Sequence, residues 1–231
     1  MPQTAIQPRR RVKKRARPFE TNLEYLSAIL DYLTLLAQKR TIQKKLQKQK
    51  AGLTRRGRAA PWDDDDSDDS PVELRRELLS NHSRTVAHRK KILDARVAAT
   101  LAAGEVELPL ETMAKEHQLS EFEKLVLILV LGPTLDNTFE DVVNEATHLS
   151  GSEVGGILDV LCETLEEKIR ARKYFTSSSK LLALGLLNLG YSRGIMSEND
   201  FLSMGMELPR QVSSHLLGEY DIDDQLVTFS S

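Results

Sequence analysis

The first apolar pattern along the chain begins after Thr21 and has the three- and four-residue spacing of an α-helix. Its apolar members fall on one face: Leu23, Leu26, Ile29, Leu30, Leu33 and Leu36. Thr21 and Glu24 have the spacing of a capping box, which marks a helix start. Further along, the stripe thins to Ile42 and Leu46 among Lys and Arg residues. This pattern predicts a helix that continues as a solvated basic rod and stops near Gly52.

A second long helix is predicted after an Asp-rich segment. Residues 51–70 contain two glycines, one proline and six Asp residues, a composition that favours a flexible linker extended by charge repulsion. Ser70 and Pro71 then suit an N-cap and a first helical position, and Gly104 suits the residue after the helix. Residues 21–104 are therefore predicted to form two long helices, which can pair as an antiparallel hairpin.

Shorter elements follow from residue 105 onwards. The stretches LPLETMAKEHQ and SEFEKLVLILVLG each predict a helix, and further helices are predicted near 139–148, near 153–162, after Thr164, at the start of SSSKLLALGLLNLG and from Pro209 to Gly218. After the turn residues of YSRGIMSEND, FLSMGMEL predicts the return strand of a hairpin. Three short helices followed by a hairpin are a winged-helix pattern. The predicted fold is mainly α: a long N-terminal helical hairpin, then a helical, winged-helix-like domain at residues 105–231 with one small β-hairpin.

The helix in SEFEKLVLILVLG has no polar side in its middle. Leu125 to Leu131 are seven apolar residues in a row, far fewer than the roughly 20 that a membrane span needs. Ser120 and Glu123 have capping-box spacing, and Gly132 and Pro133 predict the end of the helix. A helix that is apolar all round is enclosed by other helices. This one is therefore predicted to be the central strut of the domain.

Charge is distributed unevenly along the chain. Residues 1–58 carry 16 Lys and Arg against 3 Asp and Glu, whereas residues 105–231 carry 9 against 22. The run RRRVKKRAR repels itself, which predicts a disordered basic arm at residues 1–20. Charge alone leaves open whether this basic part meets nucleic acid, anionic lipid, an acidic protein surface or the acidic body of its own chain. The candidate contacts to an anionic partner are Arg9, Arg10, Arg11, Lys13, Lys14, Arg15, Arg17, Lys44, Lys45 and Lys48.

The sequence contains no convincing catalytic motif. GSEVGGIL has the glycine spacing of a phosphate loop, but Ile157 and Leu158 occupy the positions where that loop needs Lys and Ser or Thr. The five histidines lack metal-pair spacing, and Cys162, the one cysteine, lies in an apolar stripe. A lone cysteine suits a reducing compartment, and the N-terminus lacks the apolar stretch of a signal peptide. We therefore expect a cytoplasmic, non-enzymatic chain with no cofactor, no metal and no membrane span.

The predicted winged-helix-like domain is acidic. Its helices carry Glu140, Asp141, Glu145, Glu153, Asp159 and Glu163, with few cations between them. A helix that reads DNA lies among phosphates, which repel such a surface. Nucleic acid, if it is bound, would have to be bound by the basic N-terminal 58 residues. Nucleic acid is therefore a partner that the sequence does not favour.

Several long stretches resemble the N-terminal region of a bacterial family of AAA ATPases, in which a helical segment and a winged-helix domain precede the ATPase core. The stretches are NLEYLSAILDYLTLL, ILDARVAATLAAGEVELPLETMAKEHQLSEFEKLVLILVLGPTLD, ILDVLCETLEEKIRARKYF, LLALGLLNL and VSSHLLGEYDIDDQL. They extend over about residues 22–226, without the Asp-rich linker. The most specific are residues 119–136 and 216–226, because each matches at many positions rather than through a short motif.

The resemblance implies a non-catalytic recognition and docking region that recruits a protein substrate or adaptor for an ATPase ring, and a homo-oligomer formed through the ATPase core. The phosphate loop, magnesium-site acids and arginine fingers of that core are not among these residues, so ATP and Mg would belong to the missing core. The chain is then either a piece of a longer protein or a module that works without its motor. The alternative expectation is a nucleic-acid-binding protein that uses the basic N-terminal arm and helix.

Overall fold

The structure of the protein is a computed structural model that describes residues 16–55, 71–149, 151–191 and 201–219. The predicted basic arm up to residue 15, most of the Asp-rich linker, the tip of the predicted hairpin and residues 220–231 lie outside the described residues. The predicted fold class is confirmed, because the described part is mainly helical with one small antiparallel sheet.

Two long helices, α1 (Asn22–Arg55) and α2 (Val72–Ala103), form the predicted antiparallel hairpin. The Phe19 N–H donates to Thr100 Oγ1 at 2.7 Å near the end of α2, and His82 Nε2 lies 3.0 Å from the Leu35 carbonyl oxygen halfway along. Gly104 ends α2 in the left-handed region with φ 69°, as its position predicted. The predicted stop of α1 near Gly52 is wrong, because the helix continues to Arg55.

Ordered packing begins before α1. Phe19 lies inside the predicted arm of residues 1–20, yet its side chain is buried, and its ring contacts Tyr25 edge-on. The Arg96 guanidinium lies 3.9 Å above the same ring, in a cation–π contact. The segment just before α1 is therefore held against α2, while the disorder predicted for residues 1–15 stays a prediction.

The rest of the chain folds into shorter elements, most of them close to their predicted positions. The helices are α3 (Pro109–Glu116), α4 (Glu121–Leu135), α5 (Asn137–Thr147), α6 (Val154–Leu161), α7 (Leu165–Ala171), α8 (Lys180–Ala183) and α9 (Arg210–Leu217). Short 3₁₀ turns occupy Arg172–Phe175 and Phe201–Ser203. Local signals explain this agreement, because capping boxes begin α4 and α7, and Gly218 follows α9 in the left-handed region.

Helix α4 is the enclosed strut that its sequence predicts. Its residues from Val126 to Gly132 are all buried, and Ser120 accepts a hydrogen bond from the Glu123 N–H at its start. The predicted end at Gly132 and Pro133 is wrong, because the helix runs on to Leu135. Gly132 is a packing position rather than a terminator: a Cβ atom there would lie 2.3 Å from the Phe139 ring.

The small sheet pairs β1 (Asn188–Tyr191) with β2 (Met204–Glu207) in antiparallel register. Glu153 adds an isolated bridge to Gly205, and the Met206 N–H donates to the Ser152 carbonyl at 2.7 Å. The hairpin is thus hydrogen-bonded to the segment that leads into α6, which places the sheet beside the start of that helix.

One hydrophobic core joins the long hairpin to the shorter helices. Tyr25, Ile29 and Leu33 of α1 are buried in the same cluster as the middle of α4 and the apolar face of α5. The Asn22 amide also donates to the Leu216 carbonyl of α9 at 2.9 Å. The first helix therefore belongs to the packing of residues 105–219, and the predicted division into domains at residue 105 stays a prediction.

Candidate functional site

Helices α5 and α6 are one consecutive helix pair of this region that could act as a helix-turn-helix. They pack on each other and on α4, and α7 and α8 lie between them and the hairpin in the chain. In DNA-binding proteins of this kind the second helix enters the major groove, so its outer face must be open. Here six of the eight residues of α6 are buried: Val154, Gly155, Gly156, Ile157, Leu158 and Val160.

The basic half of α1 lies against α6. Lys44 Nζ is 2.9 Å from one oxygen of Asp159, and the Arg40 guanidinium is 3.5 Å from the other. Lys168 of α7 pairs with the same carboxylate, so three cations share one acid. Burial raises the pKa of Asp159, but hydrogen bonds from Lys168 and Lys44 outweigh burial and hold that pKa below its usual range. The one acid on α6 is therefore already neutralised from inside the molecule.

Two further ion pairs extend this contact. Lys39 Nζ lies 2.5 Å from Glu163, and Lys45 Nζ lies 3.8 Å from Glu145. The side chains of Lys39 and Arg40 are only 11% and 13% exposed, so the prediction of a solvated basic rod is wrong for this part of α1. At this half of α1, the basic part of the chain folds back onto the acidic body.

The structure separates the ten candidate contacts to an anionic partner into groups. Arg17 is exposed and pairs with Glu20. Lys44 pairs with Asp159, and Lys45 pairs with Glu145. Lys48 is exposed and forms no ion pair with any described residue. Lys44 also donates to the Thr147 carbonyl at 3.1 Å. The other six lie outside the described residues: Arg9, Arg10, Arg11, Lys13, Lys14 and Arg15.

Sequence reasoning missed Lys39 and Arg40 as members of this contact. Their partners lie far away in the chain, as the 124-residue separation of Lys39 from Glu163 illustrates. No local signal identifies these pairs, because Arg40 and Lys44 both contact Asp159, and Glu163 lies between α6 and α7 rather than on a helix.

The comparison with protein families agrees with the helical fold and its small antiparallel sheet. The model of the family described as "winged helix domain, variant" matches residues 7–230. The chain belongs to this family. The predicted winged-helix pattern is thereby confirmed, and the match includes the long helical hairpin. No curated protein and no solved structure matches the chain.

The outer side of α2 exposes apolar side chains of this winged-helix variant. Leu74, Leu78 and Ile92 are exposed and lie along one line of the helix, since their spacings of 4 and 14 residues are close to whole turns. The positions between them on that line are uncharged: Asn81, Thr85 and His88. An uncharged line on a long, exposed helix is a surface suited to another protein.

Cys162 and Gly155 of the winged-helix variant are packing residues. Burial raises the pKa of the Cys162 thiol to about 11, which leaves it protonated and unreactive at neutral pH. Gly155, inside the segment with phosphate-loop spacing, is packed so closely that a Cβ would lie 2.7 Å from Leu149. Across the described ranges, His, Cys, Asp and Glu form no group of three that could hold a metal ion. Among the described helices, none combines the length and the apolarity that crossing a bilayer requires.

Proposed function

We propose that this winged-helix variant is a non-catalytic docking region of an AAA ATPase, which binds a protein substrate or adaptor and delivers it to the ATPase ring. The proposal joins two supports. One is the patterned resemblance of about residues 22–226 to the N-terminal region of such ATPases. The other is the burial of six of the eight residues of α6, which leaves this helix no open face for a DNA groove.

The burial of α6 is the observation that carries the choice of a protein partner. A DNA duplex that approached α6 would have to displace α1, whose Leu33 and Ala37 are part of the buried core. It would also meet the acids of α5, including Glu140, Asp141 and Glu145. Phosphates gain affinity by replacing their counterions with Lys and Arg, and α5 offers carboxylates instead. A protein partner has no such requirement and can use the uncharged line of α2.

The proposal assigns the ATPase chemistry to the core and not to this chain. ATP and Mg would bind the core, and a homo-oligomer would form through it, so that several docking regions surround one ring. The docking region would then contribute affinity and position, and the ATPase would contribute the work. We place this activity in the cytoplasm, where a single buried thiol such as that of Cys162 stays reduced.

The test is affinity capture with the full 231-residue chain expressed in its native cell, followed by quantitative mass spectrometry of the captured proteins and sequencing of captured nucleic acid. The expected result is enrichment of an AAA ATPase together with its substrate or adaptor, unchanged by nuclease treatment. Capture of nucleic acid alone, with no ATPase enriched, would contradict the proposal.

The second candidate function is nucleic-acid binding through the basic N-terminal part, and the exposed Lys48 favours it. It predicts an affinity for labelled DNA or RNA that falls steeply with salt concentration. Removing residues 1–15 should greatly reduce that affinity, and Lys48 would account for what remains. Removing the whole basic segment of residues 1–58 is the wrong experiment, because α1 would go with it and its buried residues belong to the core.

A further inference from the structure

A small apolar cleft opens between α1, α2, α3 and α4, away from the contact between α1 and α6. Its volume is about 190 Å³, and its apolar lining consists mainly of Ile29, Leu93, Val97, Leu101, Leu110 and Leu125. Leu101 is exposed at the cleft. Pockets for drug-sized ligands are typically about 300–1,000 Å³, whereas an apolar cavity of about 150 Å³ can hold a benzene ring. The cleft therefore has room for one ring or one branched alkyl group.

Charged side chains form a continuous chain along one side of this cleft. Asp94 pairs with Lys90, whose Nζ lies 2.9 Å from Glu121. Lys124 lies 2.8 Å from Glu121 and 2.9 Å from Glu111, which also accepts a hydrogen bond from the Tyr25 hydroxyl. Three carboxylates thus share two ammonium groups, and the series links α1, α2, α3 and α4.

Two acids of this series, Asp94 and Glu121, face the solvent, whereas Glu111 and both lysines face inwards. The Asp94 and Glu121 side chains are 58% and 46% exposed, compared with 26% for Lys90 and 17% for Lys124. Lys124 already donates to both oxygens of Glu111 and pairs with Glu121, so its donors are occupied. A ligand at the rim of the cleft therefore meets carboxylates with free lone pairs, and a cation complements them.

We propose that this cleft is a docking slot for one aromatic or large aliphatic side chain of a protein partner, carried next to a Lys or Arg. The slot rests on the proposed docking function and names the feature that a substrate or adaptor would present. The apolar group would bury itself against Leu93, Val97 and Leu101, and the neighbouring cation would contact Asp94 and Glu121. A central apolar anchor with a charged rim is the usual arrangement of a binding hot spot.

Two small molecules with the same ring and opposite charges test the slot. Phenethylammonium and 3-phenylpropanoate are titrated separately into the ¹⁵N-labelled full chain, and amide shifts are followed by NMR. Phenethylammonium should shift the amides of residues 93–101 and bind several-fold more tightly than 3-phenylpropanoate, the modest ratio that a contact between exposed charges supplies. Equal binding, or tighter binding of the carboxylate, would overturn the slot.

A blocking variant and its matched control use two exposed alanines of α2. Ala98 lines the cleft, whereas Ala95 lies on the outer side of the same helix. Ala98→Trp should abolish the phenethylammonium shifts, and Ala95→Trp should leave the affinity unchanged. Should Ala98→Trp fail to fold by circular dichroism, Leu101→Asn, at an exposed position of the lining, should still reduce the affinity several-fold. Wild-type affinity in either lining variant would overturn the slot.

A charge variant tests the acidic rim in the same way. Asp94→Asn should reduce the preference for phenethylammonium over 3-phenylpropanoate, while Glu77→Gln, an exposed acid more than four turns earlier on α2, should leave the preference unchanged. An unchanged preference in Asp94→Asn would remove the rim from the proposal.

Capture experiments with the alanine variants separate the slot from the proposed function. If Ala98→Trp loses the AAA ATPase partner's substrate or adaptor while Ala95→Trp retains it, the slot is the docking point. If both variants capture the same proteins as the wild type, docking takes place elsewhere, which overturns the slot and leaves the docking function standing. If no variant and no wild-type chain captures them, the proposed function itself fails.

Discussion

Replacing Gly132 with Ala distinguishes two interpretations of this residue by the sign of the change in the free energy of unfolding. Sequence reasoning treats Gly132 as the end of α4, whereas the structure places it inside the helix against Phe139. A helix-interior glycine with free space around it gains about 1 kcal/mol of stability on replacement by Ala, because Ala has the higher helix propensity. A glycine that a buried ring touches loses stability on the same replacement, because the added Cβ has no room.

The size of the opposing effect follows from the geometry. The new Cβ would lie 2.3 Å and 2.5 Å from two atoms of the Phe139 ring and 3.2 Å from Leu30 Cδ2. Phe139 is only 2% exposed, so its ring cannot swing into solvent. Overpacking of a closed core costs about 1–3 kcal/mol. We therefore expect Gly132→Ala to lower the free energy of unfolding by up to about 2 kcal/mol after the propensity gain is included.

Urea unfolding followed by circular dichroism at 222 nm measures this change in free energy. Gly190→Ala is the matched control, since a Cβ at Gly190 meets nothing within 4 Å; its change should stay within about 0.5 kcal/mol. In the double variant Gly132→Ala/Phe139→Leu, the smaller side chain should relieve the clash, so that Gly132→Ala costs less than it does alone. A Gly132→Ala protein about 1 kcal/mol more stable than the wild type, which is the propensity gain alone, would refute the close packing of α4 on α5.

Two substitutions and one labelling experiment test separate parts of the structure. Asp159→Asn should lower the free energy of unfolding by about 1–3 kcal/mol at pH 7, because Lys44 and Lys168 lose a charged acceptor. The lowered pKa of Asp159 means that its contribution is complete above about pH 4 and fades below it, so denaturation curves of variant and wild type should converge in acid. Ser120→Ala should cost about 1 kcal/mol through loss of the cap of α4, while Ser80→Ala, exposed within α2, should cost less than about 0.5 kcal/mol. Cys162, with a pKa of about 11, should react with Ellman's reagent slowly in the native chain and rapidly in urea; rapid native labelling would contradict its burial.

The features that could be predicted from the sequence are those decided within a few residues. Helix ends are set by residues that act on backbone groups one turn away or less: Ser120, Thr164 and the left-handed Gly104. The residue types at these positions therefore locate the helix ends. The apolar run of α4 likewise predicts that other helices surround this helix. Gly132 misled because its role depends on Phe139, which lies in the next helix.

The candidate site was harder to predict because it is built from distant parts of the chain. The carboxylate of Asp159 meets Lys44 only when α1 has packed on α6, and no local pattern encodes that packing. The slot likewise combines side chains from four helices. Charge asymmetry indicated that the basic and acidic parts of the chain could meet, but not which pairs would form.

Hydrogen exchange of the α6 amides, with and without duplex DNA, measures whether α6 is closed to DNA, on which the choice of a protein partner rests. The buried contact with α1 predicts that residues 154–161 exchange slowly in the free chain and that saturating DNA leaves their rates unchanged. Fast exchange of α6 in the free chain, or additional protection of α6 by DNA, would contradict the account.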